Sequence, residues 1–303
     1  MIGLVGRVTR RVALFQLEWT MVFAALGLAA PAHAGGNVTV RVDRGGNLIV
    51  AGDGADNEIQ ISPVDIGVGD VVGIGSTLVN GGASASFSGV DGDFRIRMRG
   101  GDDHVFIVDG DGNHVPDDLD IDTGRGNDTV LLQGFFVHDD LRIRSGPGDD
   151  TIELSQTVFV LDRSTLHTGS GNDQVLFRPA DVPDLLIVFE DDFQLRTGSG
   201  RDFVSIEGAL FRRGVDIDLN RGDDLGEPGG PVGGLCVCGS SFEAADVLED
   251  VRFGGGDGLD GVVLESVCGI APPGLLQDFL RDFEVNPDDC SFLGGEACAR
   301  GCE

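Results

Sequence analysis

Aspartates that follow a glycine-rich turn recur along this chain and are its most regular set of potential ligands. Residues 122–134 read DTGRGNDTVLLQG, and RSGPGDDTIELSQ, HTGSGNDQVLFRP and RTGSGRDFVSIEG repeat the same frame. The aspartate after the second glycine recurs after gaps of 25, 22, 23, 29, 22 and 36 residues, at Asp103, Asp128, Asp150, Asp173, Asp202, Asp224 and Asp260. A carboxylate in every repeat, beside the carbonyls of a tight turn, is an all-oxygen set of the kind that calcium prefers.

Apolar residues alternate with polar ones on both sides of these turns. After the aspartate the pairs include Val130/Leu132 and Ile152/Leu154, and before the glycines they include Leu119/Ile121. A period of two indicates strands with one buried face. A strand–turn–strand unit of this kind buries its apolar edge only by stacking on its neighbours. The sequence therefore predicts an all-β fold, a right-handed parallel β-solenoid with about 22–25 residues and three short strands per coil.

The polar residues just before each turn support parallel stacking independently. When the repeats are aligned, charges of opposite sign follow one another for most steps in two outward-facing columns. The first column contains Arg97, Asp122, Arg144, His167, Arg196 and Asp218, and the second contains Arg95, Asp120, Arg142, Thr165, Gln194 and Asp216. Stacked strands lie about 4.8 Å apart, where opposite charges attract and like charges repel. This alternation predicts coils that stack in register.

Stacked turns would place Asp128, Asp150 and Asp173 in one column, and two chemistries suit such a column. Carboxylates about 4.8 Å apart repel one another, by about 1 kcal/mol in water and more in a drier site. Calcium–oxygen distances of about 2.3–2.6 Å would let one ion bridge two of them. The alternative is a ladder without metal, in which Asn and Asp side chains bond the backbone N–H groups of the turns.

The turn motif resembles a known calcium-binding repeat. TGRGNDTVL is similar to the nonapeptide of the repeats-in-toxin (hemolysin-type) proteins at its second and fourth glycines, sixth aspartate and eighth apolar residue. In that family, turn carbonyls and the aspartate hold Ca²⁺ between stacked coils. The resemblance implies calcium as the cofactor and a metal site at Gly124, Gly126, Asp128, Gly146, Gly148, Asp150, Gly169, Gly171, Asp173, Gly198, Gly200 and Asp202, extended to the less regular copies at Asp103, Asp224 and Asp260.

Two features depart from that family. Here the motif occurs once per coil, and its first glycine is mostly replaced by Thr or Ser. The chain is also similar to the acidic solenoids of bacterial secreted and surface proteins.

The two ends of the chain differ from the repeat region. Residues 1–34 combine a basic start, an apolar run and the small-residue ending PAHA, a pattern that predicts a cleaved secretory signal peptide. We expect an N-terminal cap and early coils over 35–95, coils over 96–229, and a last coil with a cysteine-rich cap over 230–303. A short helix is predicted over 273–284, because its apolar residues fall on one helical face.

All six cysteines lie in the last quarter of the chain, at Cys236, Cys238, Cys268, Cys290, Cys298 and Cys302. An even number of cysteines in an exported chain predicts three disulfides. A zinc site is the alternative, because Cys236/Cys238 and Cys298/Cys302 are close pairs.

Composition narrows the classes of function. The formal net charge of −30 disfavours nucleic acid and anionic membranes and favours cations. The chain has no Tyr, and its one Trp lies in the predicted signal peptide, which disfavours a platform for stacking sugars. Neither a G-x-S-x-G elbow nor an H-E-x-x-H motif occurs.

These observations predict a secreted, non-enzymatic, calcium-binding solenoid, extracellular or on the cell surface. We expect a structural, adhesive or surface role, partners among cell-surface or matrix components, and no membrane span after signal cleavage. The alternative is a polysaccharide-active parallel β-helix enzyme, either a lyase or a hydrolase, which would need an arginine and two or three carboxylates converging on one face.

Overall fold

A computed structural model describes residues 35–178, 187–222, 234–238, 241–242, 251–255, 261–265, 280–281 and 284–285. All regular structure in these residues is β-strand. The strands are β1 (Asn37–Val42), β2 (Leu48–Ala51), β3 (Glu58–Asp65), β4 (Val68–Gly73), β5 (Leu78–Val79), β6 (Ser84–Phe87), β7 (Phe94–Arg97), β8 (His104–Val115), β9 (Leu119–Asp122), β10 (Thr129–Val137), β11 (Leu141–Pro147), β12 (Thr151–Val160), β13 (Ser164–Ser170), β14 (Gln174–Arg178), β15 (Ile187–Phe189), β16 (Phe193–Ser199), β17 (Phe203–Glu207), β18 (Ala209–Phe211), β19 (Val215–Asp218), β20 (Gly234–Cys238), β21 (Ser241–Phe242), β22 (Val251–Gly254), β23 (Gly261–Glu265), β24 (Leu280–Arg281) and β25 (Glu284–Val285).

The chain winds between two large sheets, so that strands adjacent in one sheet belong to successive coils. The first sheet has the order β24-β22-β19-β16-β13-β11-β9-β7-β2-β1-β5, and the second sheet has the order β25-β23-β20-β17-β14-β12-β10-β8-β3-β4-β6. From β7 and β8 onward, the described strands of both sheets all pair in parallel. The prediction of an all-β, parallel β-solenoid is confirmed.

Several coils have a third short strand segment beside their two longer strands. β10 changes register between Gln133 and Phe135, and its last residues then pair with the last residues of β8 and β12. Further along the chain the same side is formed by β15, β18 and β21, which pair with the end of β12 and with one another. The coils from β8 to β21 therefore have a short third side in addition to their strands in the two sheets.

The N-terminal end of the stack is built from antiparallel strands. β1 pairs antiparallel with β2, and β4 pairs antiparallel with both β3 and β6. These strands lie within the segment predicted as the N-terminal cap and early coils. An antiparallel end covers edges on which a further parallel coil would otherwise add.

Several predictions fall on residues outside those described. These are the signal peptide at 1–34, Asp224, Asp260, and the cysteines other than Cys236 and Cys238, whose backbones lie in β20. The predicted helix over 273–284 is wrong where it can be compared, because Leu280 and Arg281 form β24 and Glu284 begins β25. These residues extend the two sheets by parallel pairing instead.

The predicted alternation of buried and outward residues is confirmed. Val130, Leu132, Ile152 and Leu154 are fully buried, and Leu119 packs into the same core from the other sheet. Burying a side chain of this size contributes about 1.5–3 kcal/mol. Four phenylalanines, Phe177, Phe189, Phe193 and Phe211, join the three sides of the later coils, with ring centroids 4.7–5.7 Å apart.

The two outward charge columns stack in the predicted register. Arg97 pairs with Asp122, and Asp122 pairs with Arg144. His167 then lies between Arg144 and Arg196, which in turn pairs with Asp218. In the second column Asp120 lies between Arg95 and Arg142.

Candidate functional site

The glycines of the repeated turn are required because successive coils approach each other closely there. Gly146 and Gly148 have φ angles of +100° and +147°, in the region that favours glycine. A Cβ atom on Gly148 would lie 1.7 Å from the carbonyl oxygen of Gly126 in the preceding coil. The equivalent positions in the other coils are occupied by Gly124, Gly126, Gly169, Gly171, Gly198 and Gly200.

The marker aspartates form one buried column, which we call the inner column: Asp103, Asp128, Asp150, Asp173 and Asp202. Their side chains are at most 1 % exposed. In each step, one aspartate Oδ1 accepts the backbone N–H of the aspartate in the preceding coil, at 2.8–2.9 Å. Asp103 begins the series by accepting the N–H of Asn57 at 2.9 Å. The structure therefore brings together five of the seven predicted aspartates.

In four aspartates of the inner column the second carboxylate oxygen is buried and has no hydrogen-bond partner among the described residues. These oxygens are Oδ2 of Asp103, Asp128, Asp150 and Asp173. A buried carboxylate with one unbonded oxygen is costly to keep charged, because it has lost its hydration. Either a proton or a bound cation can remove that cost.

Burial raises the pKa of every aspartate in the inner column. The pKa of Asp150 rises to about 6 through burial, although the hydrogen bond from the N–H of Asp128 opposes that effect. The pKa values of Asp103 and Asp173 rise to about 7 for the same primary reason. Those of Asp128 and Asp202 are also raised by burial. These carboxyls therefore take up protons more readily than exposed aspartates do.

A ladder of hydroxyl groups runs beside the inner column, at the place where the nonapeptide family has its first glycine. Thr123 donates to the carbonyl of Ser145, and Ser145 donates to the carbonyl of Thr168, both at 3.1 Å. Thr168 and Thr197 continue the ladder at 2.7 and 2.9 Å. The Thr and Ser residues that replace the first glycine of the nonapeptide therefore link successive coils in this chain.

The residue before each inner aspartate forms a second ladder, which we call the outer ladder, and it runs in the opposite sense. Asn127 N–H donates to Oδ1 of Asp102 at 2.8 Å, and Asp149 N–H donates to Oδ1 of Asn127 at 2.8 Å. Asn172 and Arg201 continue it, at 2.7 and 3.0 Å. Here the donor belongs to the later coil, whereas in the inner column it belongs to the earlier one. The two ladders together confirm that the turns stack in register.

The turn carbonyls, which hold calcium in the nonapeptide family, bond to neighbouring coils in this structure. Gly126 N–H donates to the carbonyl of Pro147 at 3.0 Å, and Gly148 N–H donates to that of Ser170 at 2.8 Å. Gly171 donates to Ser199 in the same way, at 2.8 Å. The Oδ2 atoms of Asp103, Asp128, Asp150 and Asp173 are therefore the oxygen atoms best placed to bind a cation.

A separate acidic corner, which the sequence analysis did not predict, lies where the chain enters the first sheet, just before β7 and β9. Carboxylate oxygens of Asp93, Asp117 and Asp118 lie within 4.8 Å of one another. Asp139 follows one coil later, and a side-chain hydrogen bond with Asp162 is the main cause that raises its pKa to about 6. The signal in the sequence was the pair Asp-Asp before the strand in PDDLDI, HDDLRI and EDDFQL.

An arginine and several carboxylates meet on the outward face of the first sheet. A polysaccharide-active enzyme would need such a group of residues on one face. Arg142 contacts Asp118 at 3.1 Å and also contacts Asp140. Arg97 contacts Asp120, and Arg144 lies 3.6 Å from that carboxylate. Each of these acids is thus engaged with an arginine on its own or a neighbouring coil.

Compared with known proteins, the chain matches no family model, no curated protein and no solved structure. Within the described ranges, no helix is long and apolar enough to cross a membrane.

Proposed function

We propose that this chain is a secreted, non-enzymatic β-solenoid with a structural, adhesive or surface role, and that calcium neutralises its inner aspartate column. One observation carries the proposal. In coil after coil, a buried carboxylate keeps one oxygen free of hydrogen bonds, as in Asp128, Asp150 and Asp173. No Lys or Arg contact neutralises these three carboxylates among the ion pairs of the described residues.

The spacing of the inner column suits a divalent cation of calcium's size. Neighbouring carboxylates are one coil apart, about 4.8 Å, and calcium–oxygen distances are about 2.3–2.6 Å. The residues that would hold the ion are the aspartates of adjacent coils, such as Asp150 and Asp173. When bound, the ion would supply the positive charge that the buried carboxylates lack.

An exported protein is the setting in which such a column would be useful. Extracellular calcium modules bind weakly, with dissociation constants of about 10⁻⁴–10⁻³ M, because the ion is abundant outside cells. The signal peptide predicted at 1–34 and the six cysteines of the last quarter support export to an oxidising space. We propose cell-surface or matrix components as partners.

The alternative of a polysaccharide-active enzyme is less well supported. The face that carries Arg142 has carboxylates beside it, but Asp118 and Asp140 are both held in ion pairs with that arginine. Carboxylates whose oxygens contact an arginine in this way are not free to contact a substrate. We therefore retain the structural role.

Thermal unfolding of the exported protein tests the calcium proposal. Melts at pH 7.5 in excess EDTA and then in millimolar calcium should differ by a clear rise in the melting temperature. A site saturated at 100 times its dissociation constant contributes about 2.7 kcal/mol. At pH 5 the calcium effect should shrink, because protons compete for Asp150 and its neighbours.

The matched control is a pair of variants one residue apart. Asp150→Asn removes a buried charge of the inner column, whereas Asp149→Asn changes an exposed member of the outer ladder. Only Asp150→Asn should reduce the calcium effect at pH 7.5. Identical melts of the unaltered protein in EDTA and calcium would contradict the proposal and leave an aspartate ladder neutralised by protons.

A further inference from the structure

The outward charge alternation breaks at three successive strands of the first sheet. Arg144 of β11, His167 of β13 and Arg196 of β16 stand side by side in register. In the neighbouring column the same strands carry Arg142, Thr165 and Gln194. Across these three strands neither column contains a carboxylate, although the chain has a formal net charge of −30.

We call the outward residues of these three strands in the two columns the cationic strip. Carboxylates border the cationic strip on both sides. β9 carries Asp120 and Asp122 next to Arg142 and Arg144. On the other side β19 places Asp218 next to Arg196. Because the three strands span two steps of about 4.8 Å, the strip is about 10 Å wide. A long polyanion crossing it would meet these carboxylates at either end.

The side chains of the strip are available to a ligand. Arg144 and Arg196 are each 50 % exposed, and their ion pairs with Asp120 and Asp216 are long, at 3.6 and 3.8 Å. Exposed ion pairs of this length contribute little free energy, so they leave both arginines available to a ligand. His167 is exposed as well, and no ion pair or hydrogen bond engages its ring among the described residues.

We propose that Arg144, His167 and Arg196 form a binding site for a small oxyanion of the sulfate or phosphate type. Guanidinium groups match tetrahedral oxyanions through paired N–H donors, and a protonated imidazole adds a third cationic donor. An anion placed over His167 would be attracted by three neighbouring cations at once. The bordering aspartates restrict the site to an anion that fits within three strands.

Binding at this site should depend on the protonation of His167. Its pKa is lowered first by partial burial, and then by the positive charges of Arg196 and Arg144. The charged groups that face it are Arg142 and Arg144 from β11 and Arg196 from β16, with the aspartates of β9 and β19 one strand further away. A dianion would offset the repulsion from the arginines, so its binding and the protonation of His167 favour each other.

Sulfate is the suitable probe, because its charge does not change between pH 5 and pH 8. Isothermal titration of the full protein with sodium sulfate, against sodium chloride of equal ionic strength, should show saturable binding that is tighter at pH 5.5 than at pH 8, by about tenfold. The NMR signal of His167 should shift during the titration and its pKa should rise in saturating sulfate.

Arg196→Gln should weaken sulfate binding by about tenfold, because it removes one charged donor. Arg178→Gln is the matched control, since Arg178 is equally exposed, lies on the other sheet and should not affect binding. His167→Gln should remove the pH dependence and leave weaker binding. Equal losses in Arg196→Gln and Arg178→Gln, or no binding beyond that of chloride, would overturn the proposal.

A sulfated polysaccharide distinguishes a free anion from an ester on a polymer. Dextran sulfate should bind no more tightly per sulfate group than the free ion, because the aspartates of β9 and β19 border the strip. Much tighter binding of the polymer, lost in Arg196→Gln, would overturn the size limit that we infer from these borders.

Discussion

The backbone N–H of Asp128 donates a 2.8 Å hydrogen bond to Oδ1 of Asp150, which lies one coil further along the chain. The same contact is repeated between Asp150 and Asp173 at 2.9 Å. A side chain that is normally charged and exposed is therefore used as a buried connector between coils. We infer that its remaining oxygen makes the stability of the fold depend on pH and on cations.

Without calcium, the folded protein should become less stable as the pH rises from about 4 to about 7. The pKa values of Asp103, Asp150 and Asp173 are raised to about 7, 6 and 7, so in this range the folded state holds protons that the unfolded state has released. The free energy of unfolding then falls with rising pH. Thermal melts in EDTA at pH 4.5 and pH 8 should differ by about 5–10 °C, with the higher value at pH 4.5.

Repulsion among surface carboxylates also weakens in acid, so the melts need a control. Asp150→Asn should reduce the difference between the two melts, whereas Asp149→Asn should leave most of it. His167 acts in the opposite direction, because its pKa is lowered and its protonation in acid costs stability. Melting temperatures that are the same at both pH values would contradict a neutral inner column.

Asp150→Asn and Asp150→Ala should have opposite consequences at pH 8 in EDTA. Asparagine keeps an acceptor for the N–H of Asp128 and removes the buried charge, so the variant should be at least as stable as the unaltered protein. Alanine leaves that N–H buried without an acceptor, which costs about 1–3 kcal/mol. Urea unfolding measures both, and equal losses in the two variants would show that the charge itself is needed.

Gly171→Ala should destabilise the protein much more than Gly89→Ala. A Cβ atom at Gly171 would lie 1.9 Å from the carbonyl oxygen of Gly148, whereas at Gly89 it would meet nothing within 4 Å. Gly89→Ala measures the cost of a left-handed backbone alone, about 1–2 kcal/mol, because its φ is +72°. At Gly171 the φ of +136° adds backbone strain to the contact with the neighbouring coil. We expect at least about 3 kcal/mol for Gly171→Ala from urea unfolding. Similar losses would mean that the coils can separate at the turn.

Thr168→Val should weaken the fold and strengthen its pH dependence. The substitution removes the 2.7 Å hydrogen bond from Thr168 to the carbonyl of Thr197, at a cost of about 1 kcal/mol. It also removes a hydroxyl that lowers the pKa of Asp173, so that pKa should rise further above its ordinary value. Unfolding between pH 4.5 and pH 8 measures both effects. Thr168→Ser keeps the hydroxyl and should show neither change.

Much of the fold could be predicted from the sequence because a solenoid repeats the same local rule. The period-two alternation at Val130/Leu132 and the charges at Arg97, Asp122 and Arg144 specify which face is buried and which residues lie side by side. The predicted helix over 273–284 was wrong at Leu280 and Glu284 because a short apolar run suits either a helix or a strand, and pairing with β22 and β23 decides between them.

The candidate site was predicted only in part. The marker motif identified Asp128, Asp150 and Asp173 as one column, but residue types alone cannot show which carboxylate oxygen a neighbouring N–H engages. The acidic corner at Asp93, Asp117 and Asp118 was missed because no glycine motif marks it. The cationic strip was visible in the alignment of the repeats, but its borders depend on the strand register.

The opposite sense of the two turn ladders makes the two ends of any segment cut from this stack chemically different. A cut after the coil of Asp150 would deprive that residue's N–H of its acceptor, Asp173, and would leave Oδ1 of Asp149 without its donor, Asn172. The opposite cut face would present a buried carboxylate oxygen and an exposed N–H. Two such faces complement each other only head to tail, so a shortened or lengthened stack would preserve its direction, and segments exchanged between copies would rejoin in one orientation.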